Sequence, residues 1–336
     1  MKGNIFQGQY NFAKDAFEKA QSNNNSKIHI KATVKLADCL FHLRDNDKVK
    51  EALDTLSDMT DSVFKHDYMS VMLKLMISQG DLELARTILS TLDEPEDFDN
   101  RMNWATCHYD LGQYDKAKAI LESAFVNRHT GSRTFTMQTK SHLKEAHRLS
   151  LLGCCYIALG EDFTGFNELE TCMEKLKIIS KFIVYPEMIQ THLYVGNGRV
   201  HGGNQLEKAY QHLLFAQKHA IKMELPIMQA SALVEMGLYH LRMGSRNYKQ
   251  AERDFKRAKE ILEEKKGFET SNMMVWINYG LAVVQREVYK NMKEARIQSK
   301  LALDMGRLLF PDVNGKKSRF LKQLEVFDQE LSKGHV

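Results

Sequence analysis

LGQYDKAKAILESA, residues Leu111 to Ala124, is the stretch that decides the fold. Gly112 is followed two positions on by an aromatic, Tyr114, and then by Ala117, Leu121 and Ala124. The last three stand at i, i+4 and i+7 and so fall on one stripe of an α-helix, where the small residues let a neighbouring helix approach and the bulky one fills the gap. The glycine suits the left-handed position that closes a preceding helix. The same offsets recur at Gly8, Tyr10, Ala13, Phe17 and Ala20, and at Gly80, Leu82, Ala85, Leu89 and Leu92. Looser copies stand at Gly160, Gly165, Leu169 and Cys172, at Leu206, Ala209, Leu213 and Ala216, and at Gly244, Tyr248, Ala251, Phe255 and Ala258. The weakest are Val49, Ala52 and Leu56, and Met292, Ala295, Ser299 and Ala302.

A partner helix precedes most copies. In RLSLLGCCYIALG, Leu149, Leu152, Gly153, Tyr156 and Gly160 read large, large, small, aromatic, turn. Equivalent helices carry Trp104 with Ala105, Gly196, Met236 with Gly237 and His240, and Trp276 with Gly280. On these residues nearly the whole chain resembles the tetratricopeptide repeat family. The resemblance implies an all-α fold, a right-handed α-solenoid of about seven to eight stacked helical hairpins, each burying its apolar face only against its neighbours. Such an array is expected to be elongated. Turns recur about every 32 to 39 residues in the first half and 40 to 48 in the second, against roughly 34 for the family. In that respect the chain is similar to the long-repeat members found in kinesin light chain and in scaffold subunits of the anaphase-promoting complex and the cohesin loader.

The four prolines agree with this register, since proline costs roughly 3 kcal/mol inside a helix. Pro95 and Pro311 fall after second helices, and Pro186 and Pro226 open first helices. The expected organisation is 1–126, N-terminal repeats; 127–141, a polar inter-repeat loop or helix extension; 142–311, longer C-terminal repeats; and 312–336, a capping helix and tail. The copy at Gly8 lacks its partner helix, which suggests a lone starting helix or a piece of a longer chain.

Composition fits a folded helical protein: 43% hydrophobic and 27% charged residues, with only 4 prolines and 19 glycines. The basic surplus, five charges, is dilute and lies in the second half. Five cysteines, odd in number and without paired spacing, point to a reducing compartment. With no apolar leader and no long apolar run, a cytoplasmic or nuclear location is expected and a membrane partner is not.

No catalytic, cofactor-binding or metal-binding residue is assigned, and no cofactor. HExxH, GxSxG and cysteine–histidine signatures are missing. GNGRVHGG, residues 196–203, matches neither phosphate-loop spacing; it reads as a close helix crossing at Gly196 and Gly198 followed by a turn at Gly202 and Gly203. Lys316, Lys317 and Ser318 look like the end of a P-loop without its upstream glycine and read as a solvated tail. Cys154 and Cys155 point about 100° apart on a helix with His147 near the first, and one of the two is expected in the core. Arg253, Lys256, Arg257 and Lys259 are interleaved with acids, the pattern of a solvent-facing helix.

The family resemblance places the ligand surface on the inner side of the first helices. Counting from the turn glycines puts Asn103, Tyr109, His147, Leu151, Leu193, Tyr194, Asn197, Val234, Leu238, Arg242, Ile277, Asn278 and Leu281 there. Amides that pair with an extended backbone, beside aliphatic and aromatic pockets, suit a partner's peptide or helix. The expected function is a non-enzymatic scaffold or adaptor within a larger complex. The alternative is an RNA-binding repeat protein using the basic C-terminal half, and self-association, or the chain's own ends, is the alternative occupant of the groove. Family members that clamp acidic chaperone tails place cations where this chain has Ser70, Lys74, Asn103, His147 and Leu151, so no chaperone-tail binding is expected.

Overall fold

A computed structural model describes residues 14–15, 18–19, 26–43, 46–56, 64–124, 135–179, 184, 186–203, 205–264, 271–310 and 318–333. The described residues form helices and turns with no strand. Seven hairpins follow one another: α1 (Ser26–Leu43) with α2 (Asn46–Asp54), α3 (Lys65–Gln79) with α4 (Leu82–Thr91), α5 (Phe98–Asp110) with α6 (Tyr114–Ser123), α7 (Phe135–Ala158) with α8 (Asp162–Ile178), α9 (Pro186–Gly202) with α10 (Leu206–Lys222), α11 (Pro226–Arg242) with α12 (Tyr248–Glu263), and α13 (Asn272–Glu287) with α14 (Met292–Leu309). A final helix, α15 (Arg319–Ser332), packs on α14. The copy beginning at Gly8 lies outside the described residues, apart from Lys14, Asp15, Glu18 and Lys19. α7 begins at Phe135, inside the polar 127–141 segment, so the later part of that segment is helix.

The helix ends follow local chemistry. Pro186 and Pro226 are the first residues of α9 and α11, and Pro95 lies between α4 and α5. Asp97 caps α5 by accepting the Asn100 N–H at 3.0 Å, and Ser318 caps α15 by accepting that of Leu321 at 3.1 Å. Gly80 stands at φ +86°, where a side chain would be strained, and returns its N–H to Ile77.

Packing repeats with the sequence. Each first helix contacts the first helix of the next hairpin and its own second helix. Ala117, Leu121, Ala209, Leu213, Ala216, Ala251, Phe255 and Ala258 are all completely buried. Phe255 is seated between two first helices: a Cβ on Gly237 would come within 2.7 Å of its ring, and one on Gly280 would collide with it outright. Gly196 meets Leu213 and Gly198 meets Leu169 in the same way, and Gly203 takes the turn, as the GNGRVHGG segment predicts. Cys154 and Cys155 are both in the core, not one of the two.

At its C-terminal end the array closes back on itself. There the chain turns back across the superhelix onto the third hairpin. A Cβ on Gly112 would lie 2.5 Å from the Leu309 carbonyl oxygen and 2.9 Å from the Phe310 Cα. The Arg86 guanidinium on α4 donates to the Leu308 carbonyl. Phe320 of α15 packs against Tyr114, His201, Trp276 and Phe310, with ring centroids 4.6 to 5.9 Å away, and Arg319 pairs with Asp162 at 2.6 Å. Apolar and aromatic residues on both sides of the α14–α15 connection gain more by burying themselves on distant hairpins than by facing solvent.

Candidate functional site

The inner faces of the first helices enclose a cavity of about 480 Å³. Each of the seven described first helices contributes: Asp38 and Phe41 from α1, Lys74, Ile77 and Ser78 from α3, Asn103, Thr106, Tyr109 and Asp110 from α5, and His147 from α7. Pro186, Glu187, Gln190, Leu193, Tyr194 and Asn197 come from α9, then Ile227, Met228, Ser231, Val234 and Glu235 from α11, with Leu225 just before it. Asn272, Met273 and Trp276 of α13, with Ser271 before them, and Leu309 at the end of α14 complete the wall.

Of the residues expected to face the groove, Asn103, Tyr109, His147, Leu193, Tyr194, Asn197 and Val234 line this cavity. Six do not. Leu151 and Ile277 are fully buried and Leu238 nearly so, all within the packed core. Asn278 is buried with its amide 3.6 Å from the Met305 sulfur, and Leu281 is half-buried against the core. Arg242 is exposed and donates to the His201 carbonyl at 3.1 Å. Leu151 on α7 and Ile277, next to the wall residue Trp276, lie on the core face of their helices, whereas Leu238, Arg242 and Leu281 lie too far along theirs. On α11 and α13 the cavity wall is the N-terminal and middle part of each helix, whereas counting back from the turn glycine selects positions nearer the C-terminal ends. At the C-terminal end of α13, α15 packs alongside, with Arg286 pairing with Glu330 at 3.0 Å.

A polar chain crosses the floor. The Tyr109 hydroxyl donates to the Asn197 carbonyl oxygen at 3.4 Å, and the Asn197 amide donates to Glu235 Oε1 at 2.7 Å. Glu235 Oε2 stands 3.6 Å from His201 Nε2, and both atoms are buried with no hydrogen-bond partner. Lys74 pairs with Asp38 at 3.2 Å. Burial pushes the Asp110 carboxyl up to about 7 against the opposing pull of Lys74. Burial, assisted by Lys74, takes His147 down to about 4, so its ring is neutral at pH 7, with Nδ1 3.3 Å from the Thr191 hydroxyl. Burial holds the Tyr109 and Tyr194 hydroxyls well above the usual phenol range, so both remain donors.

Lys74, placed on the groove side by comparison with chaperone-tail binders, does line the wall, and sequence reasoning missed Asp110, Glu235 and Trp276 there. Glu235 carried a readable signal, a single charge inside the apolar run SALVEMGLYHL. Trp276 was assigned to packing, and it both packs and lines the wall. Elsewhere, three of the five basic residues of α12 pair within their own helix: Lys256 with Glu252 at 2.7 Å, Arg257 with Glu260 at 2.9 Å, and Lys259 with Glu263 at 3.6 Å. Among the described residues no group of three or more histidine, cysteine or acidic side chains is placed to hold a metal, and no helix is long and apolar enough to cross a membrane.

The fold has solved counterparts. A Rap protein complexed with competence and sporulation factor superposes with a TM-score of 0.51 at 15% identity, over 91% of this chain and 87% of that one. The APC/C hetero-tetramer Cut9-Hcn1 gives 0.53 at 12% identity, over 96% of this chain and 57% of that chain. No protein-family model and no curated protein matches the sequence. Repeat, architecture and these likenesses together define the chain as a tetratricopeptide-like helical-repeat protein, an all-α solenoid.

Proposed function

We propose that this chain is a non-enzymatic scaffold or adaptor, acting within a larger complex, that holds an extended segment of a protein partner in its central cavity. The observation that carries this is the wall itself, in which seven successive first helices turn amides, aliphatic groups and aromatic rings onto one concave surface. Asn103 and Asn272 offer amides suited to a peptide backbone, and the Asn272 oxygen is buried without a partner. Two structures of this fold contain partners, competence and sporulation factor in one and Hcn1 in the other, which supports a holding role here. Three of the five basic residues of α12 are already held by acids of the same helix, which dilutes the charge it offers to RNA, so the protein-binding reading is preferred.

Ser231 is half-buried on the wall, and Ser231→Trp places a large ring in the cavity. Partner capture by this variant should drop at least about tenfold while the melting temperature stays within a few degrees of wild type. Undiminished capture by a folded Ser231→Trp protein overturns the assignment of the cavity.

A further inference from the structure

The charges around the cavity do not balance. Asp38, Asp110, Glu187 and Glu235 line it, against Lys74 as the one lysine or arginine on the wall, and Lys74 is already held by Asp38 at 3.2 Å. Glu187 is exposed at the mouth. Of the other two carboxylates, Asp110 is half-buried and Glu235 is buried. Among the described residues no hydrogen bond or ion pair reaches the Asp110 carboxyl, and its nearest counter-charge is the already engaged Lys74. Glu235 is only 5% exposed, Asn197 satisfies one of its oxygens, and the other makes no hydrogen bond, its nearest polar neighbour being His201 Nε2 at 3.6 Å. The unpartnered Asn272 oxygen makes a third acceptor on the same wall.

A buried carboxylate oxygen left without a donor is costly, and the cost is relieved when a donor, above all a charged one, arrives. Apart from His201 Nε2, which faces Glu235, the unmet groups here are acceptors, so the complementary ligand is a donor. Trp276, Tyr109 and Tyr194 add aromatic rings that also favour a cation. We infer that the cavity selects an extended peptide bearing a cationic group, an arginine or lysine side chain or its own free amino end, held between Glu235 and Asp110. The inference rests on the extended-peptide reading of the cavity and adds the chemistry of what is read there. Removal from bulk water makes such pairing less sensitive to salt than a surface ion pair. Burial of Asp110 and Glu235 also disfavours acidic segments, which would add like charge to a site that already has a surplus.

Pools of acetylated, amidated pentapeptides with one fixed Arg, Lys, Gln or Glu, and the Gln pool again with a free amino end, provide the test. Binding is followed by calorimetry and by the fluorescence of Trp276; the second tryptophan, Trp104, is buried away from the cavity. The expected result is affinity at least about tenfold higher for pools with a basic side chain or a free amino end than for the acetylated Gln pool. Glu235→Gln and Asp110→Asn should each shrink that ratio severalfold. Whether the side-chain arm or the amino-end arm carries the gain identifies the source of the cation. Equal binding of cationic and neutral pools, or a preference for the Glu pool, overturns the inference and leaves the peptide site standing. Failure of every pool to bind removes both. Both substitutions are close to isosteric, and thermal melts report whether each variant is folded.

Discussion

Asp110 makes its own test of the site in the absence of any ligand. Its native carboxyl titrates near 7 because burial disfavours the charge, whereas in the unfolded chain it titrates near 4. The native state then binds more protons than the unfolded state between those values, so this group withdraws stability as pH rises from about 4 to about 7. Asp110→Asn should stabilise the free protein by about 2 kcal/mol at pH 8 and leave it nearly unchanged at pH 4.5, measured as denaturant midpoints. Histidines pull the other way. Burial lowers His147 and His212 to about 4 and His192 to about 3, and His192 stacks on Phe215 with its Nδ1 2.9 Å from that of His212. Neutral, they favour the fold above pH 6.5, and that contribution is lost as pH falls toward 4. With His108, His219 and His240 also lowered by burial, six histidines stand against three raised carboxyls, Asp110, Glu168 and Asp254, and the balance is a net loss of stability between pH 6.5 and 4.5. Replacing His192 and His212 by Asn should flatten that decline in a series of chemical melts.

At the scale of the helix, the seating of Phe255 between Gly237 and Gly280 is the repeat in physical form. Gly280→Ala forces a methyl into the ring and should cost about 1–3 kcal/mol. Phe255→Ala leaves a void between two hairpins and should cost about 3–5 kcal/mol, read from denaturant melts. These contacts were legible in the sequence because they depend only on spacing along a helix: small, bulky and small residues at fixed steps can pack in one way. The wall of the cavity was half legible for the same reason. Asn103, Tyr109 and Asn197 follow from helix periodicity, but Leu238, Ile277 and Leu281 were misplaced. Which face and which end of each helix border the cavity depend on how successive hairpins rotate and on where α15 lies, and neither is written in a local pattern. Asp110 escaped because it sits beside the turn glycine, where a charged residue ordinarily reads as solvated.

For the whole molecule, the return of the chain from α14 and α15 to Gly112 and Tyr114 sets the behaviour. Phe320 is the centre of that return, so Phe320→Ala should destabilise the fold by about 3–5 kcal/mol. Hydrogen exchange should report the loss in α6 as well as in α15, although the two are some 200 residues apart. Protection that falls in α15 alone would show that the return contact carries no energy. No pattern of repeats foretells this contact, since each hairpin signature describes neighbours only.

Open helical arrays change length readily, because a duplicated hairpin stacks on its neighbour and displaces only what lies beyond. Here the Leu309 carbonyl must arrive at Gly112 and the Arg319 guanidinium at Asp162. One additional hairpin inserted between them would carry the tail past both landing points. The number of units in this stretch is therefore fixed by geometry, and the family's usual freedom to grow or shrink by whole repeats is closed to it.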